Sequence, residues 1–137
     1  MSAKNIIRPA IGVGVLVWRD KQLLLGKRLA DQQDICWQFP GGHLENNESV
    51  IECAVREVQE ETGLKVELGE VFAVLSNFHD PDQHTIGIWY RGREVGGQLC
   101  PGGDLLDAAF FPLEELPELS FPTDRQVIAQ LERRTVY

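Results

Sequence analysis

The most constraining feature of this 137-residue chain is a helix whose two ends are both written in the sequence. Ser49 and Glu52 have the spacing of a capping box, and Gly63 supplies the left-handed residue that stops a helix, so Ser49 to Thr62 is predicted to be helical. At about 100° per residue, Ile51, Ala54, Val55 and Val58 fall on one apolar stripe, which is expected to face the core. Glu57, Glu60 and Glu61, at i, i+3 and i+4, share a separate face, with Cys53 leaning toward it in a packing role. Like charges at that spacing cost an isolated helix roughly a few tenths of a kcal/mol per pair, so a shared cation would explain why they stand together. Hard oxygen ligands favour Mg²⁺, or Mn²⁺, over zinc.

Alternating segments surround this helix. Ala10 to Arg19 reads as a buried strand, Asp20-Lys21 as a turn, and Gln22 to Gly26 as the second arm of a hairpin. Lys27 to Asp34 is polar and predicted to be a loop, and Trp37 to Gly42 leads into a change of direction at Gly41-Gly42. Lys65 to Asn77 and Thr85 to Val95 alternate as strands, with a polar loop from His79 to His84 between them. After a second loop, Gly96 to Asp104, come a short strand at Leu105 to Phe111 and a terminal helix at Thr123 to Arg134, with Val127, Ile128 and Leu131 on its apolar side. Strands on either side of one marked helix, with another at the end, point to a single domain with a mixed sheet packed by helices.

Composition excludes several classes of function. A chain 43% hydrophobic and 25% charged is neither disordered nor collagenous. A net charge of −8 argues against nucleic acid as a partner held on a broad basic face, while a small anionic substrate fits if cations neutralise the acidic site. Met1 to Arg8 lacks the apolar core of a signal peptide, and no run approaches the roughly eighteen apolar residues of a membrane span, so a cytoplasmic location away from membranes is expected. Cys36, Cys53 and Cys100 form no close-spaced pair and read as reduced structural thiols.

A cluster of glutamates alone is most often a solvated helix face. Here Gly42 and Glu48 precede it, Arg56 lies beside it, and Gly63-Leu64 follow, giving GHLENNESVIECAVREVQEETGL over residues 42 to 64. Seven fixed identities at that spacing arise by chance on the order of once in 10⁸ starting points. The segment resembles the Nudix box, and Gly12 to Arg28, WQFPGGHLE and FFPLEELPELSFPTD resemble Nudix domains in matching order. The resemblance implies an α+β fold, an α/β/α sandwich with a central mixed sheet and a loop-helix-loop that holds metal. It implies metal-binding carboxylates at Glu57, Glu60 and Glu61, with Glu57 or a neighbour deprotonating the attacking water. It also implies a bracing pair at Glu48 and Arg56, a further ligand in the Gly41 carbonyl, and assembly as a homodimer.

The implied activity is metal-dependent hydrolysis of a phosphoric anhydride in a small nucleotide. The proline that ADP-ribose enzymes often place about fifteen residues after the box is replaced here by His79, with Pro81 two residues later. The tyrosine of diadenosine polyphosphate enzymes and the SQPWPFP segment of NADH enzymes are absent. GVGV, LLGKR, QFPGGHLE and the ECA-x-RE run are similar to the small nucleotide-triphosphate diphosphatases of the family, so a (d)NTP cleaved to monophosphate and pyrophosphate is expected, with ADP-ribose or a nucleotide sugar as the alternative. Arg28 for phosphate, Phe39 or Trp37 for stacking, and Asn77, His79 and His84 for base or ribose are the candidate substrate contacts, while Trp89, Phe111 and Phe121 default to the core. A nucleotide-sensing Nudix domain without turnover is the reading from another class, and the intact box speaks against it. A plain interaction module using the acidic surface would show no metal dependence.

Overall fold

In the computed structural model, which describes residues 8–30, 34–119 and 121–134, seven strands form one mixed sheet between two helices. The opening hairpin joins β1 (Ala10–Arg19) to β2 (Gln22–Ala30), and both turn residues, Asp20 and Lys21, take positive φ (49° and 66°). That is the backbone twist a two-residue hairpin prefers. Then follow β3 (Asp34–Gln38), β4 (Gly41–His43), α1 (Val50–Thr62), β5 (Leu64–Asp80), β6 (Gln83–Gly97), β7 (Leu105–Pro112), a 3₁₀ turn at Leu113–Glu115, and α2 (Pro122–Arg134).

The sheet runs β3-β2-β1-β6-β5, with β1 and β6 parallel and the other pairs antiparallel. One feature of the pairing positions the site. β1 and β2 are in register only beside their turn, at Trp18↔Leu23 and Arg19↔Gln22. Beyond it they splay, because β4 takes the vacated edge of β1 at Gly12 to Gly14 and β3 takes that of β2 from Gly26 to Ala30, while β7 pairs along the opposite edge of β2. A cleft therefore opens between the two halves of the sheet, at the end remote from the hairpin.

Alternation along β1 divides the core. Val13, Val15 and Val17 face α1 and pack with Cys53, Ala54, Val58 and Leu64, whereas Leu16 faces α2 and packs with Leu25, Phe72, Val127 and Leu131. Fully burying such a side chain contributes roughly 1.5–3 kcal/mol. The result is the α+β sandwich expected from the sequence.

Three expectations are corrected. The polar stretch Lys27 to Asp34 is not all loop, because β2 continues to Ala30 and β3 begins at Asp34. Residues 31–33 of that stretch, and Met1 to Arg8 apart from Arg8 itself, lie outside the described residues. The loop from His79 to His84 shrinks to a turn at Pro81-Asp82, since β5 and β6 stay paired out to Asp80↔Gln83. The buried face of α1 is Cys53, Ala54, Val58 and Thr62, and Ile51 from the predicted stripe is 54% exposed. Thr62 can be buried because its hydroxyl donates to the Val58 carbonyl (2.6 Å), which hides its polarity inside the helix.

The helix ends follow the sequence. The Ser49 side chain accepts from the Glu52 N–H (3.0 Å), Glu52 accepts in return from the Ser49 N–H, and Gly63 closes the helix at φ 78° with its N–H on the Gln59 carbonyl. Replacing Ser49 with Ala removes half of this box and is expected to lower stability by about 1 kcal/mol, measured by urea unfolding.

Candidate functional site

Arg56 organises the acidic face of α1. Its Nε and Nη2 donate to the two oxygens of Glu48, on the loop that leads into the helix, while Nη1 donates to Glu57 (2.9 Å) and Glu60 (3.1 Å). Glu45 adds a fourth carboxylate at 3.8 Å. The Arg56 hydrogen bonds hold the Glu48 carboxyl down to about 2, and that acid in turn raises the guanidinium well above its ordinary value. Glu48 and Arg56 thus form the bracing pair expected from the sequence.

The three candidate metal carboxylates sit differently. Glu60 is 55% exposed. Glu57 is 16% exposed, and burial lifts its pKa against the opposing pull of Arg56. The backbone at Gly42 makes room for it: a Cβ there would lie 2.5 Å from the Glu57 carboxyl carbon. Glu61 turns inward, accepts from the Gly41 N–H (2.8 Å), and is pushed up to about 7, first by burial and then by the charge of Glu57. Arg28 pulls it down and Asp104 pushes it up.

Asp104 was not found from the sequence. The chain after β6 wraps the end of α1, with the Cys100 N–H on the Thr62 carbonyl and the Gly102 N–H on the Glu61 carbonyl, and this brings the Asp104 charge to bear on Glu61. Among the described residues no three acidic, thiol or imidazole side chains converge as a ready cation cage. The physical reason is that Arg56 holds Glu57 and Glu60 while Gly41 holds Glu61. The donor set still fits a hard divalent cation: all oxygen, with two desolvated carboxylates and a glycine cradle beside one of them.

A cavity of about 380 Å³ opens beside this face, in the cleft between β1 and β2. Of the candidate substrate contacts, Arg28, Phe39, Asn77 and His79 line it, and so does Gly41, the candidate metal ligand. His84 does not. In β6 the alternate residues Gln83, Thr85, Gly87 and Trp89 face the cavity, so His84 points to the other side of the sheet, where it stacks on Phe78 at 4.4 Å. Reading residues 79 to 84 as a loop lost that alternation. Trp37 packs edge-on against Phe111 instead of lining the cavity, whereas Phe121 and Trp89, assigned to the core, do line it.

Two further cavity residues were missed. Gln38 is 8% exposed and its Oε1 is buried with no partner. Asp124, at the start of α2, is 6% exposed and accepts from the Phe39 N–H (3.4 Å) and the Trp89 side chain, yet burial pushes it up to about 7. A signal for Asp124 was available, because it stands at i, with Val127, Ile128 and Leu131 at i+3, i+4 and i+7. An acid on an apolar stripe is a buried acid.

Arg56→Lys keeps the charge but loses the two-pronged grip on Glu48, so turnover is expected to fall on the order of 10- to 100-fold with unchanged far-UV circular dichroism. Asp124 has a folded pKa above its ordinary 3.8, so its protonated form favours folding. That contribution is complete below about pH 4 and is lost as pH rises through about 7. Melting temperatures across this range should show Asp124→Asn gaining on the native protein as pH rises; parallel curves would refute it.

The NUDIX domain family model matches residues 8–131. An ADP-ribose pyrophosphatase from Methanocaldococcus jannaschii is 37% identical over 120 residues, covering 87% of this chain and 71% of that protein. An RNA pyrophosphohydrolase from Novosphingobium aromaticivorans is 31% identical over 144 residues, covering 90% and 89%. The crystal structure of a NUDIX hydrolase from Nitrosomonas europaea superimposes with a TM-score of 0.85 at 27% identity, covering 96% of this chain and 75% of that one. The chain therefore belongs to the Nudix family, as one of its pyrophosphohydrolases.

Proposed function

We propose that the enzyme cleaves a nucleoside triphosphate to a monophosphate and pyrophosphate, using Mg²⁺ or Mn²⁺ held by Glu57, Glu60 and Glu61, with the Gly41 carbonyl and Asp104 close by. The observation that carries this reading is the pairing of the carboxylate face with a cavity whose buried end holds an unpartnered acceptor, Gln38 Oε1, beside the buried Asp124 carboxyl. Buried polar groups of this kind cost free energy unless a partner reaches them. A nucleobase, flat and edged with donors, fits between the aromatic walls of Phe39, Trp89 and Phe121 and reaches Gln38 Oε1.

With the base in that position the ribose faces Asn77 and His79, and the phosphates pass Arg28 toward α1. Arg28 binds phosphate oxygen. Glu57, desolvated and so more basic than a surface carboxylate, takes the proton from the attacking water as the new bond to phosphorus forms and the anhydride oxygen leaves with pyrophosphate. Glu48 and Arg56 keep Glu57 aimed during that step. A divalent cation held by Glu57, Glu60 and Glu61 would supply the charge that neutralises the phosphates and acidifies the water. Positioning and electrostatics supply the rest.

Similarity to a protein named ADP-ribose pyrophosphatase supports a second reading, in which the same base pocket serves a diphosphate joined to a second sugar. By resemblance to the family, the working form is a cytoplasmic homodimer; no described helix is long and apolar enough to cross a membrane.

The test is product analysis with Mg²⁺ and with Mn²⁺ on (d)NTPs, ADP-ribose, nucleotide sugars and a 5′-triphosphate RNA. Pyrophosphate plus one monophosphate from a free nucleotide is the expected result. Two monophosphates from ADP-ribose would move the substrate to the second reading, and nucleotide binding without turnover would favour a sensor. Glu61→Gln should abolish turnover with the fold intact; full activity in that variant would remove it from the metal site.

A further inference from the structure

The segment from Gln38 to Gly42 joins the base cavity to the carboxylate face, and a carboxylate from each helix holds it. Asp124 of α2 takes the Phe39 N–H at 3.4 Å, and Glu61 of α1 takes the Gly41 N–H at 2.8 Å. Between them Pro40 is fully buried, with its carbonyl accepting from the Val15 N–H (3.0 Å). A Cβ on Gly41 would lie 1.9 Å from the Val13 carbonyl oxygen, so the strap is pressed against β1 with no room to shift there. Phe39 and Gly41 are two residues apart, about 7 Å along an extended chain, so a displacement at one end reaches the other without an intervening flexible element.

The two ends differ in tightness. The Gly41 contact is a well-formed hydrogen bond, while the Phe39 contact is stretched beyond the usual 2.9–3.0 Å or so. The loose end is also the one with the unpartnered Gln38 Oε1.

We propose that Asp124 is a positioning residue: its hold on Phe39 sets the strap so that Gly41 aims Glu61 at the cation, and filling the base cavity tightens this setting and strengthens cation binding. This rests on the reading of the cavity as a nucleobase site. The coupling needs no large movement, because drawing the 3.4 Å Phe39 contact in to the usual hydrogen-bond length is a shift of about half an ångström along a strap that cannot yield at Gly41. It is also reciprocal: the cation must strengthen base binding by the same factor.

The test measures Mn²⁺ binding by electron paramagnetic resonance, with and without a saturating nucleoside, which has no phosphate and so cannot carry the effect through the cation directly. In the native protein the nucleoside is expected to tighten Mn²⁺ about fivefold or more. Asp124→Leu should weaken Mn²⁺ about tenfold without nucleoside and erase the nucleoside effect. Asp124→Asn keeps an acceptor for the Phe39 N–H and should bind Mn²⁺ nearly as the native protein does. A nucleoside that binds yet leaves Mn²⁺ affinity unchanged overturns the proposal, and this arm needs no variant, so poor folding of Asp124→Leu does not weaken it. Native Mn²⁺ affinity in a folded Asp124→Leu overturns it equally.

Failure of the cavity reading looks different. Gln38→Leu should weaken nucleoside binding while leaving nucleoside-free Mn²⁺ binding in place. If no nucleoside binds the native protein and Gln38→Leu leaves substrate preference unchanged, the base site falls, and the nucleoside-free comparison of the two Asp124 variants decides the positioning role alone.

Discussion

One guanidinium against several carboxylates is the interaction on which the catalytic half of this molecule depends. Glu57 and Glu60 would repel each other on α1, and Glu48 and Glu45 bring further negative charge from the preceding loop. Arg56 answers all four at once. Its planar fork fixes Glu48 with two hydrogen bonds, which ties loop to helix, and its remaining edge orients the helix carboxylates. A lysine could neutralise the charge but could not hold four oxygens in a plane. The same network explains why, among the described residues, the acids do not converge as a cation cage: the arginine holds their oxygens.

The other control on the acidic face is backbone. Glu61 makes no hydrogen bond with Arg56 and takes its direction from the Gly41 N–H, so the acidic face is aimed partly by a side chain and partly by the turn between β3 and β4. That turn exists where it does because β1 and β2 separate after their hairpin and leave an edge of β1 for β4 to fill. The cleft and the orientation of a metal carboxylate thus have a common origin in one splayed strand pair.

What was legible in the sequence was whatever is local. The ends of α1 depend on Ser49, Glu52 and Gly63, each acting within one turn, and the structure places them as read. The packing face of α1 was legible only in part, because hydrophobicity alone cannot show that Thr62 satisfies its hydroxyl within the helix or that Ile51 stays exposed. The polar outer strands around residues 27 to 34 looked like loop, since pairing in β2 and β3 is a non-local fact. His84 was misassigned for a related reason: which way a side chain points depends on a strand extending two residues further than its polarity suggests.

The same distinction separates chemistry from specificity. The carboxylates themselves are encoded in residues 42 to 64, a continuous stretch in which Arg56 and Glu48 act on near neighbours, and only Glu61 takes its direction from farther along the chain, at Gly41. The cavity is assembled from Gly12, Arg28, Gln38, Asn77, Phe121 and Asp124, which meet only because the sheet has folded. The two parts are joined by the strap from Gln38 to Gly42, whose Phe39 and Gly41 N–H groups are held by Asp124 and Glu61, one carboxylate from each helix. Relatives carry the same domain under names with different substrates, an ADP-ribose pyrophosphatase and an RNA pyrophosphohydrolase.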